Sequence, residues 1–194
     1  GWTITWQGRE NLNSDFINIY SIYEALEQAI ISSGGTIEFS NNGKFINDPD
    51  VVIGIFGEEP YAEMLGDLKD VSFVETDPKF LPLLEAINAQ NIPTVSIFLS
   101  GRPLEVNRQL NASDAFIAAW LPGSAVEGIA DVIFIKDNKI NYDFTGKLSY
   151  SWPRTKDQAV LNFTDSIYDP LFPFGYGLTY TSDLEVERIQ TNLS

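Results

Sequence analysis

The chain has 194 residues, 44% of them hydrophobic, and a formal net charge of −15 from 12 basic and 27 acidic side chains. That length fits one domain with a sizeable core, and the deficit of Lys and Arg argues against nucleic acid or any other polyanionic partner. Cysteine and histidine are both absent, which excludes disulfides, thiolate nucleophiles, zinc–thiolate and His-based metal sites, and His-dependent triads within this chain.

Carboxylates, Lys and Tyr are the acid–base groups that remain. No apolar run approaches the ~20 residues of a membrane-spanning helix, so no membrane partner is expected. No basic n-region precedes an apolar h-region at the start. The opening at Gly1-Trp2 reads as the inside of a longer protein.

In chain order, Ser21-Ile-Tyr-Glu24 forms a capping box that opens a helix with Ile22, Ala25, Leu26, Ala29 and Ile30 on one face, stopping near Gly34-Gly35. Thr36 to Phe39 reads as a short strand closed by the turn Asn41-Asn-Gly43. Val51 to Phe56 is a β-branched apolar run too short for a typical helix, and it reads as a buried strand ending at Gly57. Asp77 as N-cap and Pro78 at the first helical position open a second helix that carries Leu83, Leu84 and Ile87 and ends at Asn91 and Pro93. Thr94 to Leu99 and Ala115 to Trp120 are two more strands. Ser124 caps a further helix running to about Phe134, and Gly146 to Trp152 alternates as a late strand.

Strands separated by helices predict a mostly parallel sheet covered on both faces, a three-layer α/β sandwich in one domain spanning residues 1–194. Its last part, from 137 to 194, is rich in aromatics, Pro and Gly and is expected to wrap the sheet as loops. Phe172, Phe174, Tyr176 and Tyr180 there read as core or interdomain packing.

The loop after Gly57 carries Glu58, Glu59, Glu63 and Asp67 around Pro60 and Tyr61. In α/β folds ligands gather at the carboxyl ends of strands. Carboxylates beside an aromatic ring suit proton transfer to a sugar, and they equally suit a solvated acidic loop. Asp67 either orients this loop or stabilises a turn. Arg102, just after a buried strand, is expected to make a structural salt bridge in preference to a ligand or interdomain contact. Gly123-Ser124 before a helix lacks the glycine pattern of a phosphate loop. Asn111-Ala-Ser113 and Asn162-Phe-Thr164 match glycosylation sequons.

Six segments in order resemble the second domain of glycoside hydrolase family 3 β-glucosidases and exo-β-glucan glucohydrolases. They are Gly1-Trp-Thr-Ile-Thr-Trp-Gln-Gly8, Gly57-Glu-Glu-Pro-Tyr-Ala-Glu63 with Gly66-Asp67, Leu99-Ser-Gly-Arg-Pro103, Ala118-Ala-Trp-Leu-Pro-Gly-Ser124, Phe144-Thr-Gly-Lys-Leu148 and Tyr168-Asp-Pro-Leu-Phe-Pro-Phe-Gly-Tyr-Gly-Leu178. The resemblance implies a flavodoxin-like (α/β)6 sandwich partnered by an N-terminal (β/α)8 barrel that this chain lacks, with the active site between the two. It implies that the barrel supplies a nucleophilic Asp and this domain the general acid/base, placed at Glu63, with Glu58 as runner-up. It also implies that Trp2 and Trp6 flank the sugar in the +1 subsite; both are alternatively plain core or edge aromatics.

No metal or organic cofactor is implied. The implied substrate is a β-glucoside or β-glucan oligosaccharide, and the implied location of the whole protein is secreted or periplasmic. The competing expectation is a non-catalytic carbohydrate-binding or scaffolding module of the same fold, which would not need Glu63. Under the first reading the isolated chain is inactive, and the surface that meets the barrel is left open to weak self-association.

Overall fold

The computed structural model describes residues 4–191. At its centre lie three parallel strands, β1 (Val52–Gly57), β2 (Thr94–Leu99) and β3 (Ala115–Ala118), in the order β1-β2-β3. Ile53 sits opposite Val95, Phe56 opposite Phe98, and Ile97 opposite Ile117. Successive side chains leave a strand on opposite faces, and here the two faces have different chemistry. Ile53, Ile55, Ile97 and Ile117 form a branched aliphatic layer with Leu26, Ile129 and Ala130. Phe56, Phe98 and Phe116 form an aromatic layer on the other side with Phe73, Phe80, Leu104, Val106 and Trp152.

Helices α1 (Ile22–Ser32) and α4 (Glu127–Ile133) pack side by side and supply the aliphatic face. Helix α2 (Phe80–Asn88) covers the aromatic face and meets α3 (Asn107–Asn111) through Leu81, Leu84 and Ala112. The three-layer α/β sandwich is therefore as the sequence predicts. Burial on both faces is why β1 and β2 read as unbroken apolar runs. Ring centroids of Phe56 and Phe98 lie 5.1 Å apart and those of Phe98 and Trp152 6.3 Å, within the range of favourable aromatic pairs. No helix among the described residues is long and apolar enough to cross a membrane.

Local expectations hold where the signal is local. The Ser21 hydroxyl accepts from the Glu24 amide at 3.2 Å while Glu24 Oε2 accepts from the Ser21 amide at 2.7 Å. The Ser21 backbone amide, then its hydroxyl, hold the Glu24 carboxyl below its ordinary value. Gly34 follows the helix at φ +81°, the left-handed stop that glycine supplies.

Other expectations need correction. Thr36 to Phe39 joins no ladder: Ile37 packs into the aliphatic layer, Phe39 meets Tyr23 edge-on at 5.6 Å, and the Glu38 carboxylate accepts from the Ile46 amide. Gly146 to Trp152 is not a strand either. It touches the segment 171–176 only in patches, at Trp152 with Leu171 and Phe172 and at Leu148 with Gly175 and Tyr176; between them the Phe174 amide donates to the Tyr168 hydroxyl and the Tyr176 amide turns back onto Pro173 O. Helix α2 begins at Phe80, after a turn in which Asp77 Oδ1 accepts from the Lys79 amide at 2.9 Å. Helix α4 begins at Glu127, since Gly123 at φ +64° makes Ser124 part of a turn and not a cap. β3 stops before Trp120, whose φ of +53° breaks the extended run. The unforeseen hairpin β4 (Ile135–Lys136) and β5 (Lys139–Ile140) turns on Asp137 and Asn138, both left-handed, as a two-residue hairpin loop requires.

Two glycines give opposite predictions for unfolding of this chain in urea. A Cβ at Gly57 would lie 2.2 Å from the Leu99 carbonyl oxygen, so Gly57→Ala should destabilise by about 1–3 kcal/mol. A Cβ at Gly128, inside α4, would meet nothing within 4 Å, so Gly128→Ala should stabilise by roughly 0.5–1 kcal/mol. Equal midpoints for Gly57→Ala and the unsubstituted chain would mean that β1 and β2 are not this close.

Candidate functional site

The carboxyl ends of all three parallel strands converge on one spot. The Glu58 amide donates to Leu99 O at 3.0 Å, the Ser100 amide to Trp120 O at 3.2 Å, and the Ala119 amide to Phe98 O at 2.9 Å. These bonds fix where each chain leaves the sheet, and hence where the acidic loop 58–67 starts.

Glu58, the first residue off β1, turns inward. Its Oε1 accepts from Arg102 Nε at 2.9 Å and from Nη2 at 2.8 Å, and its Oε2 accepts from the Ser100 hydroxyl at 2.6 Å. The two side chains are only 24% (Arg102) and 13% (Glu58) exposed. Arg102 Nη1 donates to Gly66 O, and its guanidinium carbon lies 4.2 Å from the centroid of the Tyr61 ring, a cation–π distance. One arginine thus grips both ends of the acidic loop and the ring in its middle. The structural salt bridge expected of Arg102 is present, and its partner is the sequence's second candidate acid.

Tyr61 is packed from several sides. A Cβ at Gly66 would lie 2.7 Å from its ring, and one at Gly101 would lie 2.9 Å from its hydroxyl, so a side chain at either position would displace Tyr61. Burial pushes the Tyr61 phenol up, the Glu58 charge adding to this and Arg102 opposing it. The hydroxyl itself lies 3.4 Å from Glu58 Oε2.

Glu63 is the opposite of Glu58. It begins a 3-10 turn, Glu63–Gly66, and is exposed. Its backbone adopts φ +50°, left-handed and uncommon for any residue with a side chain other than Asn or Asp. Such conformations persist only where the surroundings impose them, and they cluster at functional sites. No hydrogen bond reaches its carboxylate among the described residues, which leaves both oxygens open. Glu59 and Asp67 are exposed as well; it is the Asp67 amide, not its carboxylate, that closes the turn onto Met64 O.

The N-terminal segment runs against this loop. Arg9 Nε donates to Pro60 O at 3.4 Å, and Gln7 Oε1 accepts from the Ala62 amide. Trp6 is 75% exposed, which removes the core reading for it. Its open indole belongs to the residue before Gln7, as Glu63 belongs to the residue after Ala62. Trp2 lies outside the described residues.

Of the other sequence candidates, Asn111 is spent: its carboxamide exchanges two hydrogen bonds of 2.8 Å with the backbone of Ile189. Asn162 is exposed. In the tail, Phe172 and Tyr176 stack at 4.6 Å, and Phe172 packs against the aromatic layer. Two contributors escaped the sequence reading. Gln7 sat inside a quoted motif with nothing to distinguish it, and Ser100 gave no local sign that its hydroxyl would face Glu58.

The chain is 50% identical to an exo-1,3/1,4-β-glucanase from a Pseudoalteromonas species, with a TM-score of 0.95 over all of this chain and 24% of that one. It is 27% identical over 190 residues to a periplasmic β-glucosidase of Salmonella typhimurium, and 29% identical over 204 residues to a lysosomal β-glucosidase of Dictyostelium discoideum. These matches cover 87% and 94% of this chain but 23% and 24% of the relatives, so it spans about a quarter of their length. The family model for the glycosyl hydrolase family 3 C-terminal domain matches residues 2–180. This chain therefore belongs to glycosyl hydrolase family 3, as a C-terminal domain.

Proposed function

We propose that this domain supplies the general acid/base, Glu63, and an aglycone-side tryptophan platform to a retaining, exo-acting β-glucosidase or β-glucanase. The nucleophile belongs to a (β/α)8 barrel of the same protein outside this chain. The observation that carries the reading is the contrast between two carboxylates on one loop. Both oxygens of Glu58 are taken, one by Arg102 and one by Ser100. Glu63 is held at φ +50° in mid-loop with its carboxylate open.

A general acid needs an oxygen free to carry a proton to the substrate, and geometry comes before pKa in choosing it. Glu58 fails that test and Glu63 meets it. The runner-up therefore becomes the loop's anchor, and Glu63 its working group.

Retaining glycosidases set their two carboxyls about 5–5.5 Å apart. Glu63 would protonate the departing glycosidic oxygen as the barrel's Asp attacks the anomeric carbon. It would then take a proton from the water that releases the sugar. Trp6, and Trp2 with it, would offer flat apolar faces to the C–H side of the sugar ring that leaves. A whole protein of this kind would work outside the cytoplasm, as the periplasmic and lysosomal relatives do.

In the full-length protein, Glu63→Gln should lower kcat/KM for alkyl β-glucosides and oligosaccharides about 10²–10⁴-fold. A dinitrophenyl β-glucoside needs no proton to depart, so its kcat/KM should change little. Equal losses on both substrates, or none on either, would remove Glu63 from the role and favour the non-catalytic sugar-binding module. A second measurement concerns the chain by itself, which should fold and yet release no aryl alcohol from aryl β-glucosides. Sustained turnover by these 194 residues would place the nucleophile among them and overturn the shared-site mechanism.

A further inference from the structure

We propose that Gln7 is a positioning residue that holds Glu63 and Trp6 in one fixed register; this rests on reading Glu63 as the acid/base. Gln7 is 2% exposed although its neighbour Trp6 is 75% exposed. Its backbone is left-handed, φ +64° and ψ 1°, which turns the carboxamide inward while the indole stays out. Its Oε1 accepts from the backbone amide of Ala62, the residue immediately before Glu63 and 55 positions along the chain.

The orientation of that carboxamide is settled by its partner. An amide N–H can be met only by an oxygen, so Oε1 and not Nε2 faces Ala62. Nε2 is buried with no partner among the described residues. A shorter Asn would not span the same gap, Leu or Met would leave the Ala62 amide unmet, and a carboxylate would bring a charge into a buried place.

The segment that carries Gln7 is itself braced. The Gly8 amide donates to Thr5 O at 3.0 Å, Asn11 Nδ2 to Gly8 O at 3.0 Å, and the Thr5 hydroxyl to Arg9 O at 2.7 Å. Glu63 therefore lies between two tethers. Gln7 fixes the residue before it, and Arg102 fixes Gly66 after it. The Arg102 tether leads back to the sheet, whereas the Gln7 tether leads to the tryptophan. With the longer Arg9 contact to Pro60 O beside it, Gln7 is thus the buried link that relates the proton donor to the aromatic platform.

The test uses the full-length protein. In its unsubstituted form, hydrogen exchange of peptides covering 60–63 should show the Ala62 amide protected at least ~10-fold over an unstructured amide; exchange at the unstructured rate would overturn the proposal with no variant needed. Gln7→Met keeps length and volume but removes the acceptor. It should speed exchange across 60–65 and lower kcat/KM for alkyl β-glucosides about 10–100-fold, leaving the dinitrophenyl β-glucoside within about 3-fold. Gln7→Glu keeps an acceptor oxygen for the Ala62 amide and, despite the cost of its buried charge, should retain more of the alkyl-glucoside rate than Gln7→Met.

Losses of equal size on both substrates, or identical rates for the Met and Glu variants, would mean that Gln7 is merely structural. Glu63→Gln serves as the control. If it shows the leaving-group dependence and Gln7→Met does not, the positioning role fails while the acid stands. If Glu63→Gln shows none, the acid reading fails, and the tether is judged by exchange alone.

Discussion

The ion pair between Arg102 and Glu58 joins the carboxyl ends of β1 and β2, and the candidate site is arranged around it. Glu58 is the first residue after β1, Arg102 lies in the turn after β2, and Ser100 completes the carboxylate's set of donors. Pairs removed from water are costly to assemble and more costly to break, because the survivor is left charged without a partner. Here the guanidinium is also stacked on Tyr61 and bonded to Gly66 O, so its loss would release the Tyr61 ring and the Gly66 end of the loop together. Lysine could not substitute, having neither the planar face nor donors that diverge in this way.

That pair has fixed positions to join only because the sheet beneath it is rigid. The aliphatic face locks the strands against α1 and α4, and the aromatic face locks them against α2 and the tail through Trp152 and Phe172. Gly57 lets β1 come close enough to β2 for the Glu58 amide to reach Leu99 O. The site thus inherits its precision from strand spacing. The stretch from Glu59 to Leu65 runs between fixed ends and is held part-way by Gln7 at the Ala62 amide.

How much of this the sequence revealed depends on the range of the interaction. The capping box at Ser21 and the strands β1 and β2 rest on neighbours within a few residues, and they were legible. Thr36 to Phe39 and Gly146 to Trp152 have the composition of strands, but a ladder also needs a partner alongside, and a turn over 173–176 interrupts the nearest one. The Asp137-Asn138 hairpin was open to reading, since Asn and Asp are the residues that tolerate left-handed turns. The kind of contact Arg102 makes is legible, but its partner is not, because Glu58 lies 44 residues away. Gln7 was invisible: nothing in Trp-Gln-Gly announces that the polar residue will be buried and the indole exposed.

In the proposed reading the chemistry follows from a division of labour on the loop, where the Glu58 carboxylate is bonded to Arg102 and Ser100 and that of Glu63 is open. The most direct test is chemical rescue of the full-length protein carrying Glu63→Ala, with azide added to a dinitrophenyl β-glucoside reaction. A missing acid/base leaves the glycosyl–enzyme intermediate stranded, and azide needs no base to attack it. Azide should restore turnover, and the product should be a glucosyl azide of retained β-configuration. Full turnover without azide, or failure of azide to restore any rate in a protein that still binds substrate, would contradict that reading.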